Sequence, residues 1–205
     1  MAIKLNFINK SNDGQDKEIV LFQQNVATDM AELTVAWKVI RYCGFQCHHP
    51  FLYPTDYEVS YSDENGNYAP LKRAEDGQMF AVVPTPMGRR MVSKGPSTSP
   101  REVQVLNGLP RGAVNVHIYR GGRLLASKTA VVPQQKAVFS FEPVLFVGVA
   151  TQIIEGQALD SGVISNVNQE LYLHGIASAD IVMSGGGAGP DSTSYVFALE
   201  NVVMR

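Results

Sequence analysis

Apolar and polar residues alternate along most of this chain, and this alternation constrains its fold more than any other feature of the sequence. The segment IKLNF (3–7) is a short example, in which every second residue is apolar. A period of two places alternate side chains on one face of a β-strand, whereas an amphipathic helix needs a period near 3.6. In AVNVHIYRGGRLLASKTAVV (113–132), two alternating runs flank Gly121-Gly122 and predict a two-residue β-hairpin.

The first run of this hairpin also predicts which side chains are buried. Val114, Val116 and Ile118 fall on one face, which we expect to be covered. His117 falls on the opposite, polar face. We therefore expect His117 to be a surface imidazole.

Short runs rich in β-branched and aromatic residues recur through the chain, with Gly, Pro and Asn between them. We expect roughly a dozen short strands at this spacing. At most one short helix is expected, in ATDMAELTVAWKVI (27–40), where Thr28 or Asp29 could form its N-cap. The pattern predicts an all-β fold, an antiparallel β-sandwich that forms a single domain over residues 1–205.

The charge balance excludes one class of partner. The formal net charge is −2 and no basic stripe is present, so we expect no nucleic-acid partner. No apolar run reaches the roughly 18 residues that span a bilayer, so we expect no membrane span. The start, MAIKLNFINKSNDG (1–14), lacks the apolar core of a signal peptide. The expected compartment is the cytoplasm, with signal-independent export left open.

The segment CGFQCHHP (43–50) carries the residue types of a metal site. Cys43 and Cys47 are four apart, not in the two-residue spacing of common zinc sites. His48 and His49 would point to opposite faces of a strand, but could converge in a loop, which the nearby glycine and proline favour. Such a loop could hold zinc or copper with a further ligand. The sequence favours an ordinary loop without a cofactor, in which Cys43 is a small buried apolar residue and no disulfide forms.

Aromatic residues crowd the segment 45–68, interleaved with acids and amides. Rings beside such groups can hold sugars, and tyrosine is also enriched in protein interfaces. Tyr57, Tyr61 and Tyr68 are therefore candidate ligand-binding residues, for a carbohydrate or a protein. The alternative is that these rings belong to the core. A turn is predicted at Asn65-Gly66.

No catalytic constellation stands out, because the chain has no G-x-S-x-G motif and its clustered carboxylates flank a turn. The C-terminal run YVFALENVVM (195–204) predicts an exposed sheet edge, with Val196 and Ala198 on one face and Glu200 as its one charge. Because the net charge is near zero, little repulsion opposes self-association. The sequence therefore favours a non-enzymatic structural or self-assembling protein, a homo-oligomer. The alternatives are a carbohydrate- or protein-binding module that uses residues 51–68, and a metal-dependent enzyme built on residues 43–49.

Overall fold

The computed structural model describes residues 2–13, 17–27, 33–160, 162 and 169–205, and these form an all-β, sandwich-like fold. The predicted helical turn at residues 28–32 lies outside the described residues. Numbered along the chain, the strands are β1 (Ala2–Asn9), β2 (Glu18–Phe22), β3 (Leu33–Thr34), β4 (Lys38–Ile40), β5 (His48–Pro54), β6 (Tyr57–Ser62), β7 (Lys72–Ala74), β8 (Gln78–Thr85), β9 (Gly88–Pro96), β10 (Val103–Asn107), β11 (Val114–Arg120), β12 (Arg123–Val131), β13 (Lys136–Phe139), β14 (Val144–Ala150), β15 (Gln169–Tyr172), β16 (Ile176–Gly186) and β17 (Thr193–Met204).

The chain divides into two compact units, each made of separated segments. The first contains Met1–Gln23, Val35–Thr55 and Pro143–Arg205, and the second contains Gln24–Thr34 and Asp56–Glu142. The predicted single domain stays a prediction, because this division does not measure whether either unit folds alone.

The first unit contains two four-stranded sheets, with the strand orders β17-β16-β1-β5 and β15-β14-β2-β4. As the alternation in residues 3–7 predicted, Ile3, Leu5 and Phe7 of β1 are buried, whereas Lys4 is exposed and Asn6 is partly exposed. In the core of this unit, the rings of Phe22 and Phe146 stack with centroids 5.2 Å apart. Apolar side chains from β2 and from the segment after β14 surround them, so this core joins elements that are distant in sequence.

The second unit contains a five-stranded sheet, β3-β12-β11-β6-β7, and a four-stranded sheet, β13-β10-β8-β9. The predicted hairpin is confirmed, since β11 and β12 pair antiparallel and Arg120 lies opposite Arg123. Gly121 and Gly122 form its turn with φ of 59° and 73°. Both angles lie in the left-handed region that glycine tolerates, which is why this pair closes a two-residue turn.

Two strand pairs depart from the antiparallel arrangement that the sequence predicted for the sandwich. β1 pairs with β16 in parallel, with Asn6 opposite Asp180. β8 also pairs in parallel with β10, while the hairpin partner β9 lies on the other side of β8. Periodicity shows that a segment is a strand but does not identify its neighbour, so the sequence could not reveal these pairs.

Candidate functional site

A cleft of about 440 Å³ opens in the second unit, near the end of β6 and the start of β9. We call it the Tyr68 cleft. Its lining includes Tyr61, Asp63, Asn67, Tyr68, Gly88 and Arg89. Two of the three candidate ligand-binding tyrosines therefore meet at one concave surface. The volume falls within the roughly 300–1,000 Å³ of small-molecule sites.

The predicted turn at Asn65-Gly66 supplies one wall of the Tyr68 cleft. The Asp63 carboxylate accepts hydrogen bonds from the backbone N–H groups of Asn65 and Asn67, at 2.9 Å each, and from Asn67 Nδ2 at 3.0 Å. Hydrogen bonds from the side chain and backbone of Asn67 hold the pKa of Asp63 below its ordinary value. Asp63 is therefore ionised at neutral pH and fixes the shape of its own loop.

The ring of Tyr68 is a supported but accessible surface. Tyr68 is 64% exposed, and its ring centroid lies 5.0 Å from that of the His117 imidazole, at 32° between the planes. His117 is held from both sides: Nε2 lies 3.0 Å from Ser62 Oγ, and Nδ1 lies 2.7 Å from Ser127 Oγ. An immobilised imidazole therefore backs one side of the Tyr68 ring while much of the ring meets solvent.

The prediction that His117 is a surface imidazole is wrong, because the residue is only 7% exposed. β11 lies between β6 and β12, so its polar face is covered by their side chains and by Tyr68. Burial lowers the pKa of His117 below its ordinary value. The imidazole is therefore neutral at neutral pH, in keeping with hydroxyl partners on both nitrogens.

Tyr61 and Arg89 supply further polar groups to the Tyr68 cleft. Tyr61 is only 5% exposed, and burial raises the pKa of its phenol. The positive charge of Arg89 lowers that pKa and the negative charge of Asp63 raises it, and all three residues line the cleft. Arg89 is exposed and takes part in no ion pair among the described residues.

Tyr57, the third candidate tyrosine, lies in the core of the second unit. Its ring centroid is 5.8 Å from that of Phe141, and the guanidinium carbon of Arg120 lies 4.6 Å from the Tyr57 centroid. A cation over an aromatic face is attracted by the ring quadrupole. Burial raises the pKa of Tyr57. Tyr57 therefore belongs to the packing of this unit and is not among the residues that line the cleft.

The structure places the C-terminal run in β17, at one edge of the first sheet. Val196 is half exposed and Ala198 is exposed, whereas Phe197 between them is buried. We call the open side of this strand the β17 edge. Candidate residues Val196 and Ala198 thus lie on the outer face of an edge strand, and their role in assembly stays a prediction.

Gln169, at the start of β15, covers one position of the β17 edge. Its Oε1 accepts a hydrogen bond from the Phe197 N–H at 2.8 Å, and its Nε2 donates to the Phe197 carbonyl. Both Phe197 groups therefore point away from β16. Because backbone direction alternates along a strand, the N–H and C=O groups of Leu199 point the same way, whereas the pairing of β17 with β16 is irregular around Tyr195. No hydrogen bond from the described residues reaches those groups on that side.

The other sheet edges in the described residues are protected in recognisable ways. Five of them, β3, β4, β7, β13 and β15, have four residues or fewer. β5 has seven residues but includes Pro50 and Pro54. β9 has nine residues and carries Arg89, Arg90 and Lys94. Short length, proline and exposed charge each discourage pairing with another chain. The twelve-residue β17 has no proline and one charge.

The candidate metal ligands fall partly on a turn and partly on a strand. Residues 43–47 form a turn, as predicted, with the Cys47 N–H donating to the Gly44 carbonyl at 3.0 Å. The prediction of a loop is wrong for His48 and His49, which begin β5 and pair with β1. His48 is exposed and His49 half-buried, on opposite faces of the strand, so the two imidazoles do not converge.

The thiols near this strand differ in their surroundings. Cys43 is buried, Cys47 is partly exposed, and no disulfide joins them. Burial, helped by the positive charge of Lys38, lowers the pKa of His49. Within the described ranges, no three His, Cys, Asp or Glu side chains are grouped as a metal site would need. A zinc or copper site on residues 43–49 stays a prediction.

Three residues of these surfaces were not found from the sequence. His117 carries the pattern of any exposed strand residue, and its burial depends on Tyr68, which is distant along the chain. Arg89 lies in a different hairpin from Tyr68, and no local pattern indicates the cleft that it lines. The sequence gives no sign of the role of Gln169, because its hydrogen bonds to Phe197 join two strands that are distant along the chain.

Among the described residues, no helix has both the length and the apolar character to cross a membrane. No protein-family model, no curated protein and no solved structure matches this chain.

Proposed function

We propose that this chain is a non-enzymatic structural protein that self-associates when the β17 edges of two copies pair. The observation that supports the proposal is the contrast between β17 and the other sheet edges of the described residues. β17 is the long edge that has neither proline nor basic residues, with Glu200 as its one charge. Unpaired N–H and C=O groups along such an edge are a template for another strand.

An antiparallel pair of β17 strands relates the two copies by a two-fold axis, the commonest symmetry of homodimers. With the axis at Phe197, the outward backbone groups of Phe197 bond to their own counterparts in the second copy. Leu199 then lies opposite Tyr195 of the second copy. The four-stranded sheet becomes a continuous eight-stranded sheet, in which the outward groups of Phe197 are paired.

The side chains along this register are compatible. Val196 of one copy lies opposite Ala198 of the second copy, so apolar groups meet on the outer face. Glu200 lies opposite Ser194, and no like charges are placed together. The low net charge of −2 adds little long-range repulsion between copies.

Gln169 competes with this pairing. Its amide makes the hydrogen bonds to Phe197 that the second copy would make, so the side chain must move away when the strands pair. The exchange replaces hydrogen bonds with equivalent ones, each of which contributes about 0.5–1.5 kcal/mol net. Gln169 therefore weakens association without preventing it. The proposed compartment stays the cytoplasm, where cysteines without a disulfide are usual.

Light scattering coupled to size-exclusion chromatography, over a hundredfold range of protein concentration, tests the proposal. The wild-type mass should rise toward that of a dimer or larger assembly. Val196→Lys places a charge at the centre of the paired region, and should weaken association at least tenfold, a loss of about 1.4 kcal/mol or more. Ala198→Lys should act in the same direction.

Leu52→Lys is the matched control. Leu52 is exposed on β5, the opposite edge of the same sheet, where two prolines already block pairing. This variant should associate as the wild type does. A wild type that stays monomeric at the highest concentration contradicts the proposal, as does equal association of the Val196→Lys and Leu52→Lys variants.

A further inference from the structure

The Tyr68 cleft offers hydrogen-bonding groups that its own residues do not use. Tyr61 is only 5% exposed, and its phenol oxygen has no hydrogen-bond partner among the described residues. The Asn67 side chain donates through Nδ2 to Asp63, and no described residue donates to its carbonyl oxygen. Arg89 adds guanidinium donors that no described carboxylate engages. These groups face the cleft, so the hydroxyls of a ligand can replace the water that would otherwise bond to them.

The charges that line the Tyr68 cleft cancel. Asp63 is negative and Arg89 is positive, and the remaining lining residues are neutral. An anionic ligand would meet the Asp63 carboxylate, and a cationic ligand would meet the guanidinium. Hydroxyl groups suit this mixture, because each hydroxyl can accept from Arg89 and also donate to an acid or amide oxygen.

Tyr68 adds an apolar face to this polar lining. One side of its ring is backed by His117, and the residue remains 64% exposed. The C–H groups on one face of a pyranose ring carry slight positive charge, and an aromatic face carries slight negative charge. A sugar ring can therefore stack on Tyr68 while its hydroxyls reach the polar groups of the cleft.

The residues behind and beside Tyr68 in the cleft are held in place before any ligand binds. Ser62 and Ser127 fix the His117 ring at 3.0 and 2.7 Å, and Asp63 fixes the loop that carries Asn67. A site whose groups are already ordered loses less conformational entropy on binding. Rigidity of this kind suits a small ligand with a fixed ring.

From these features we infer that the Tyr68 cleft binds a neutral carbohydrate, with a pyranose ring stacked on Tyr68 and its hydroxyls bonded to Tyr61, Asn67 and Arg89. This activity is separate from self-association through β17, because it uses residues of the other unit.

A glycan array that carries neutral, uronic-acid and sialylated glycans is the first test, followed by calorimetric titration of the neutral glycan that is retained best. The Tyr68→Ala variant should bind that glycan at least tenfold more weakly. The matched control is Tyr172→Ala, because Tyr172 is also 64% exposed but belongs to the first unit. The control should bind as the wild type does.

Two further variants keep the test decisive if Tyr68→Ala lowers stability. Tyr61→Phe removes only the phenol oxygen and should weaken binding several-fold with unchanged urea unfolding. Arg89→Lys keeps the charge but loses the planar fork, and should also weaken binding, whereas Arg90→Lys on the same strand should not. The inference would be overturned if the array retained no neutral glycan, or if it retained acidic glycans preferentially. Full affinity in both the Tyr68→Ala and the Tyr61→Phe variants would also overturn it.

Discussion

Replacing His117 with leucine is the sharpest test of the buried network beneath Tyr68. The imidazole connects β11 to Ser62 at the end of β6 and to Ser127 on β12, so it ties together three adjacent strands. Leucine has a similar size and preserves apolar packing, but it offers neither a donor nor an acceptor. The variant therefore removes the polar contacts and the ring contact with Tyr68, while it keeps the apolar packing.

The expected loss follows from these contacts. Ser62 and Ser127 are both buried, and each hydroxyl loses its partner on the imidazole. A buried polar group left without a partner costs about 1–3 kcal/mol. Ser62 keeps a weak contact with Asn115 Nδ2 at 3.4 Å, which favours the lower end of that range for this residue. Loss of the aromatic contact with Tyr68 adds about 0.5–1.5 kcal/mol. We expect His117→Leu to lower the free energy of unfolding by about 3 kcal/mol in total.

Urea unfolding followed by circular dichroism measures this loss. His174→Leu is the matched control, because it makes the same chemical change at an exposed histidine. A substitution of that kind should change the free energy of unfolding by less than about 0.5 kcal/mol. If the two variants lose equal stability, or if His117→Leu loses less than about 1 kcal/mol, the hydrogen-bonded network does not stabilise this sheet.

Three other outcomes are expected. Because burial lowers the pKa of His117, its contribution to stability is complete above the unfolded-state pKa of about 6.5 and is lost as the pH falls toward the lower folded-state value. Urea unfolding between pH 8 and pH 5 should show this decline in the wild type. The His117→Leu variant lacks the titrating group, so its stability should depend less on pH. An identical pH dependence in the two proteins would contradict the prediction. Gln169→Ala should strengthen self-association, because it uncovers the backbone groups of Phe197. Light scattering should show no such change for the control Gln135→Ala, which replaces an exposed glutamine. Weaker association in Gln169→Ala would count against an edge contact. Addition of EDTA should leave the melting temperature unchanged within about 2 °C, since the core is large enough without a metal. A larger drop, reproduced by Cys47→Ala, would restore the metal site on residues 43–49.

Features set by short-range geometry could be predicted from the sequence. Gly121-Gly122 closes the β11–β12 hairpin because both residues adopt positive φ, a requirement that lies within the turn itself. The alternation in residues 3–7 predicted the buried face of β1, because side-chain direction alternates whichever strand lies beside it. The exposed outer face of Val196 and Ala198 follows for the same reason.

Features set by contacts between distant strands could not be predicted. Tyr57, Tyr61 and Tyr68 occur in similar sequence surroundings, yet Tyr57 is core and Tyr68 is exposed. The difference comes from partners such as Phe141 and His117, which lie far along the chain. Burial depends on what covers a side chain, and local pattern does not contain that information.

The candidate sites show the same division. The aromatic and acidic stretch indicated a binding surface, and Tyr61, Asp63, Asn67 and Tyr68 do line one cleft because they are close in sequence. The cleft also requires Arg89 from the β8–β9 hairpin, which no local pattern connects with Tyr68. Likewise, the apolar character of β17 indicated an edge, but not that Gln169 would cover part of it.

The parallel pairing of β1 with β16 has a consequence for the order of events on the ribosome. Asn6 Nδ2 donates to Asp180 Oδ1 at 3.0 Å across these strands, although the two residues are 174 positions apart. At about 5–20 residues per second, β16 is synthesised roughly 10–35 s after β1. β5 can cover one side of β1 early, but the other side stays open until β16 has been synthesised. Throughout that interval the N-terminal strand is an apolar nascent segment that chaperones can bind, and protection by them would decide how much newly made chain reaches the native state.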